Sequence, residues 1–220
     1  MSGLKLIEAL SGTSYDEIRR EYAKLFFKNG LNSSLSAYNT PSSSADLSIF
    51  NVKSIIKPEW KNSLTKDAME YLSKRKVLDA PFLKDPLYSC FNKDKGEEYI
   101  LIPWILNGVD AYYQVNDFKK FHSLKYIFPK DTHKLVYGLD NIDMSWPYII
   151  VFEGVYDSLF VKNGIATGTK SISDMQYKLI KERYPKMSIC CSFDNDVAGI
   201  SSMVKMIKKN ADVKFFKWFD

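Results

Sequence analysis

The chain has few of the residues that soft-metal sites and disulfide scaffolds are built from. Its 220 residues include three cysteines, Cys90, Cys190 and Cys191, and two histidines. These are too few and wrongly spaced for a zinc ribbon or a disulfide framework, so no zinc is expected. Cys190 and Cys191 fall within an apolar run and read as core packing, which suits a reducing compartment. No apolar run approaches the length of a membrane span, and the N-terminus lacks the apolar core of a signal peptide. The expectation is a cytoplasmic protein with no membrane partner. No Walker-type phosphate loop is present either, which excludes a P-loop helicase within this sequence. What remains is a composition of 45% hydrophobic and 26% charged residues, that of a globular protein, with a net charge of +5. Such a charge permits a polyanionic partner without requiring one.

Two stretches share one plan. In Tyr148-Ile-Ile-Val-Phe-Glu-Gly-Val-Tyr-Asp157, a β-branched and aromatic run stops at Glu153, Gly154 allows a tight turn, and helical spacing follows. In the second, Ile189-Cys-Cys-Ser-Phe193 reads as a strand, Asp194 and Asp196 stand at its end, and Ala198 to Ile207 reads as a helix. In an open α/β sheet the strand ends converge on the ligand. Carboxylates gathered there repel one another unless a cation neutralises them, and oxygen ligands without His or Cys suit Mg²⁺ or Mn²⁺. The ordinary alternative is that Asp194 and Asp196 cap a helix while Glu153 is solvated. The residues alone leave both readings open.

The remainder of the chain divides by composition. Residues 1–48 read as a helical segment followed by a linker. Ser14 and Glu17 have capping-box spacing ahead of Ile18, Tyr22, Leu25 and Phe26, and 29–48 is rich in Ser and Asn without Lys or Arg. Residues 49–147 form a second section. It opens with a helical pattern from Trp60 to Val77, capped by Ser63 or Thr65, and continues with strands at 98–102 and 109–115 joined by the hairpin signal Asn107-Gly108. Beyond it, Lys119, Lys120, Lys125, Lys130 and Lys134 alternate with Phe118, Phe121, Tyr126 and Phe128. Such interleaving can neutralise phosphates and stack on bases, or it can be a β-surface with aromatics inward and lysines in water. Residues 148–220 form the third section, closing on an apolar run from Val213 to Phe219.

Glu153-Gly154 with Asp157, followed by Asp194-x-Asp196 and Ala198-Gly199, resembles the Toprim domain of bacterial-type primases, topoisomerases and some nucleases. Phe193-Asp-Asn-Asp-Val-Ala-Gly199 is most similar to the primase form, and Gly168-Thr169 matches a primase feature. Upstream, the string Ala68 to Lys76, then Lys125-Tyr126, Thr132 and Tyr137-Gly138-Leu139, follow the order of the primase basic subdomain. Lys119 or Lys120 stands where that family has an arginine. The resemblance implies an α/β fold: a Toprim parallel sheet flanked by helices, preceded by a mixed β-rich basic subdomain and a helical N-terminal region.

The resemblance also implies a function, the synthesis of short RNA primers on a single-stranded DNA template from NTPs. Such work belongs to phage replication in the cytoplasm of a bacterial host, beside a replicative helicase. Glu153, Asp194 and Asp196 would be catalytic, and with Asp157 would hold Mg²⁺ or Mn²⁺. Lys119, Lys120, Lys125, Lys134 and Lys170 would meet nucleic-acid or nucleotide phosphates. A Toprim nuclease, or a non-catalytic single-stranded DNA-binding replication partner, would use overlapping residues. The primase family carries a zinc-binding domain and a further acidic motif that this sequence does not contain, as expected of a catalytic core or one part of a split enzyme.

Overall fold

The computed structural model describes residues 54–130, 133–194, 196–209 and 213–215. The expected N-terminal helix, the 29–48 linker, Thr132 and the end of the last strand lie outside them. The fold is mixed α/β, with one antiparallel and one parallel sheet.

Strands β1 (Tyr88–Asn92), β2 (Glu97–Leu106), β3 (Val109–Asn116) and β4 (Tyr126–Ile127) form an antiparallel meander in that order. β2 is buried continuously from Glu98 to Trp104 and runs longer than its apolar core suggested. Asn107 and Gly108 make the two-residue turn to β3, with φ of 55° and 75°, the left-handed pair that matches strand twist. A register shift between Trp104 and Ile105 bends the hairpin.

Helix α1 spans Lys66–Lys74 and starts later than the expected Trp60. Its N-cap is Thr65, whose Oγ1 accepts from the Ala68 N–H at 3.2 Å. Ahead of it Pro58–Trp60 is a single 3-10 turn, and Asn62 forms an antiparallel bridge to Ser89. That bridge commits backbone groups a helix would need. The helix also ends before the expected Val77, because Lys76 takes a left-handed φ of 57°.

The second sheet contains β5 (Tyr148–Phe152), β6 (Gly164–Ala166), β7 (Ser188–Cys191) and β8 (Val213–Phe215). Its order is β6-β5-β7-β8, with every pairing parallel. The connections carry α2 (Val155–Ser158), α3 (Asp174–Arg183) and α4 (Val197–Lys209). β7 stops at Cys191, short of the expected Phe193. Ser192 N–H still reaches the Val151 carbonyl at 2.7 Å, and Phe193 turns fully into the core.

Two apolar clusters hold these layers together. One fills the parallel sheet and its helices, with Ile149, Val151, Ile189, Cys191, Phe193 and Ile180, and takes in Leu106 and Ala111 from the hairpin. Cys191 is therefore core packing, as expected. The other joins α1 (Ala68, Leu72) through Ile102 and Trp104 to Tyr156 and Leu159 beside α2. Tyr137 exchanges two backbone hydrogen bonds with Ala166 at 2.9 and 3.2 Å, which ties the segment before β5 to the sheet edge. The two sheets thus share an interior across residues 147 and 148. Among the described residues, no helix is long and apolar enough to cross a membrane.

Candidate functional site

β5 and β7 are adjacent and parallel, so their carboxyl ends open side by side. Glu153 follows the last residue of β5, and Asp194 lies three residues beyond β7. The Asp194 N–H donates to Glu153 Oε1 at 3.3 Å, which joins the two strand ends directly. Beyond β6, Thr167 N–H donates to the Phe152 carbonyl at 3.1 Å and Gly168 N–H to that of Glu153 at 3.0 Å. Asp157 comes from α2 and folds back over Gly154, where a Cβ would stand 2.6 Å from its Oδ2. Only glycine leaves room for that approach.

Glu153, Asp157 and Asp194 line one hollow of about 290 Å³ with Arg75, Lys125 and Lys170; Gln114, Tyr126 and Phe128 complete its working walls. The same three carboxylates border a second hollow, also about 290 Å³, with apolar walls from Phe152, Phe160 and Val161. Burial pushes the Glu153 carboxyl above its ordinary pKa, and the neighbouring Asp194 charge adds to the rise. Burial and Asp194 raise Asp157 in the same way, against a smaller opposing pull from Arg75 and Lys125. Charged carboxylates that cost one another free energy are the arrangement a cation relieves.

The donor set is oxygen only, which suits a hard divalent ion. Among the described residues, no three His, Cys, Asp or Glu side chains are grouped closely enough to enclose a metal. Mg²⁺ is usually held by one or two carboxylates together with substrate phosphates rather than by a protein cage. An open set of this kind fits that manner of binding.

The remaining expected site residues divide into those near the hollow and those away from it. Asp196 caps α4, its Oδ1 accepting from Gly199 N–H at 2.7 Å, while its Oδ2 pairs with Lys170 Nζ at 3.0 Å. The helix-cap reading therefore holds for Asp196, which does not line the hollow. Its hydrogen bond raises the pKa of Lys170. Lys125 lines the hollow with Nζ 5.0 Å from the Tyr126 ring centre. Lys134 Nζ donates to the Gly168 carbonyl at 3.0 Å and sits 3.7 Å from the Phe128 ring centre, and burial lowers its pKa. It supports the loop beside the hollow without lining it. Lys119 pairs with Asp67 at 2.6 Å and Glu98 at 2.8 Å, and Lys120, exposed at a left-handed φ of 62°, lies beside it. Neither lysine reaches the hollow.

Arg75 and Gln114 had no assigned role in the sequence reading. Arg75 follows α1 directly, with its guanidinium carbon 5.1 Å from the Tyr156 ring centre and 5.9 Å from that of Tyr71. In the sequence it is one of three consecutive basic residues, and nothing local distinguishes it. Gln114 is a polar residue at an inward strand position, and the alternation of β3 could have flagged it.

No protein-family model matches the chain, and no curated protein matches it.

Proposed function

We propose that the chain is a Toprim-type catalytic unit of the DNA-primase kind, forming short RNA primers on single-stranded DNA by metal-dependent nucleotidyl transfer. One observation carries the reading. Glu153 and Asp194, beyond the ends of adjacent parallel strands, and Asp157 from α2 line one hollow together with Arg75, Lys125 and Lys170. Acidic and basic groups in one hollow suit a nucleotide triphosphate whose charge is shared with a divalent ion.

Glu153, Asp157 and Asp194 would hold Mg²⁺ or Mn²⁺, which supplies Lewis-acid polarisation of the phosphoryl group. Arg75, Lys125 and Lys170 bind and orient the phosphate oxygens. Glu153, one of whose oxygens accepts from the Asp194 N–H, would take the proton from the primer 3′-hydroxyl. Asp196 belongs to the same proposed set. It stands beside the hollow through its pair with Lys170. The partners would be the DNA template, NTPs and a replicative helicase, in the cytoplasm of a phage-infected bacterium.

The test is incubation with single-stranded DNA and labelled NTPs in Mg²⁺ or Mn²⁺. Short RNA products are expected. Shortened DNA would instead identify a nuclease, and a gel shift without product a binding partner.

A further inference from the structure

Asn116 ends β3 and is fully buried, paired with Ile100 on one neighbouring strand and Tyr126 on the other. Its Nδ2 donates to two hydroxyls, that of Tyr71 in α1 at 3.3 Å and that of Tyr156 in α2 at 3.0 Å. Its Oδ1 has no hydrogen-bond partner, so the amide is buried at a cost. The same two tyrosines carry Arg75. Its guanidinium carbon lies over both rings, 5.1 Å from the centre of Tyr156 and 5.9 Å from that of Tyr71, and Nη1 donates to the Tyr71 hydroxyl at 3.4 Å. Among the described residues no carboxylate pairs with Arg75, whereas Lys119 is bonded to two. A long side chain without an ion pair keeps one position only if what lies beneath it is fixed, and here that is the pair of rings.

We propose that Asn116 is a positioning residue for Arg75: by bonding both hydroxyls it fixes the two rings, and the rings fix where the guanidinium meets a phosphate in the hollow. The arrangement joins three elements. α1 supplies Tyr71 and leads directly into Arg75, β3 supplies the buried amide, and α2 supplies Tyr156 next to Asp157. Both amide hydrogens of Asn116 are engaged, so a leucine, similar in volume, fills the space and releases both hydroxyls. The proposal rests on the nucleotide-binding reading above and concerns the triphosphate end, which all four nucleotides share.

The experiment is a double-mutant cycle read by calorimetric titration of tripolyphosphate in Mn²⁺, with Asn116→Leu made in wild type, in Arg75→Ala and in Lys170→Ala. Arg75→Ala alone should lose about tenfold in affinity, the size of a charge-assisted hydrogen bond. Asn116→Leu should lose about three- to fivefold in wild type and in Lys170→Ala, and nothing further in Arg75→Ala. A merely structural asparagine would weaken binding equally in all three backgrounds. Tyr156→Phe keeps the ring under Arg75 and removes one of the two bonded hydroxyls. It should lose about twofold, and only where Arg75 is present. This second variant decides the matter if Asn116→Leu does not fold. A loss that persists without Arg75, or no loss from either variant, overturns the proposal while the phosphate site stands. If wild type does not bind tripolyphosphate in Mn²⁺, the functional reading fails and this proposal with it.

Discussion

The two sheets treat buried acid in opposite ways. In the antiparallel sheet Glu98 is 7% exposed and fully engaged. It accepts from Thr65 Oγ1 and from Ser89 Oγ at 3.2 Å, and pairs with Lys119 at 2.8 Å. These bonds outweigh desolvation and hold its pKa below the ordinary value. Glu97 nearby accepts from the Tyr99 hydroxyl at 2.6 Å. At the ends of β5 and β7, Glu153 and Asp157 are desolvated beside Asp194 without comparable donors, and their pKa values are raised. An acid whose folded environment lowers its pKa contributes to stability, whereas one whose pKa is raised is held at a cost. The first pattern belongs to architecture, and the second is the kind of perturbation that marks a candidate functional site.

The largest expected effect sharpens the costly side of that contrast. Glu153→Gln and Asp194→Asn should each lower primer synthesis by about 100-fold or more at any Mg²⁺ concentration. Asp157→Asn should lose about 10- to 100-fold and be partly rescued by high Mg²⁺ or Mn²⁺. Rates measured against metal concentration separate the two classes, and equal rescuable losses would put Glu153 among the outer groups.

Stability should respond with opposite signs in the two regions. Glu98→Ala leaves Thr65 and Ser89 without this acceptor and Lys119 with Asp67 alone, and should cost about 2–4 kcal/mol in a denaturant melt. Asp157→Asn should instead raise the unliganded melting temperature at neutral pH by removing a repelled charge. A loss there of the same size as at Glu98 would erase the distinction between the regions.

The pH dependence follows from the same signs. The contribution of Glu98 is present above its unfolded pKa and is lost as pH falls through its lowered folded value. For Glu153 and Asp157 the folded values are raised, so their relative stabilising effect is present below the unfolded values and is lost as pH rises through the folded ones. The gain from Asp157→Asn should therefore shrink to nothing as melts are taken from neutral pH down through the carboxylate range.

The smallest effect concerns the lysines. Lys125→Ala should reduce the slope of log affinity against log salt for single-stranded DNA by about one, read by fluorescence anisotropy. Lys119→Ala should leave the slope unchanged and lower stability, because its ammonium is already spent on Asp67 and Glu98.

Local signals in the sequence account for much of the fold. The apolar run at 149–152 and the Asn107-Gly108 turn act through neighbouring residues and appear where they are expected, Thr65 is one of the two expected caps, and the run expected over 189–193 is a strand only as far as Cys191. The capping box of Ser173 and Gln176 at the start of α3 was equally local and passed unread. β1 and β6 were not anticipated. β6 is only three residues long, and β1 exists through pairing with β2. The acidic residues of the site were legible as strand ends, since chain order brings Glu153 and Asp194 to one edge once the strands are parallel neighbours. Of the cations beside them, Lys125 and Lys170 were legible and Arg75 was not. Arg75 reaches the hollow only because α1 packs across the shared core, and Lys119 leaves it only because Asp67 and Glu98 hold it. Those contacts span long separations and carry no periodicity.

In the proposed function the acidic strand ends bind a divalent ion together with a nucleotide. This binding is tested most directly by titrating Mn²⁺ under electron paramagnetic resonance, with and without ATP, against wild type and the double variant Glu153→Gln, Asp194→Asn. A saturable Mn²⁺ site is expected in wild type, tightening when ATP is present and lost in the double variant. Equal Mn²⁺ binding by the two proteins, or none by wild type even with ATP, would contradict it.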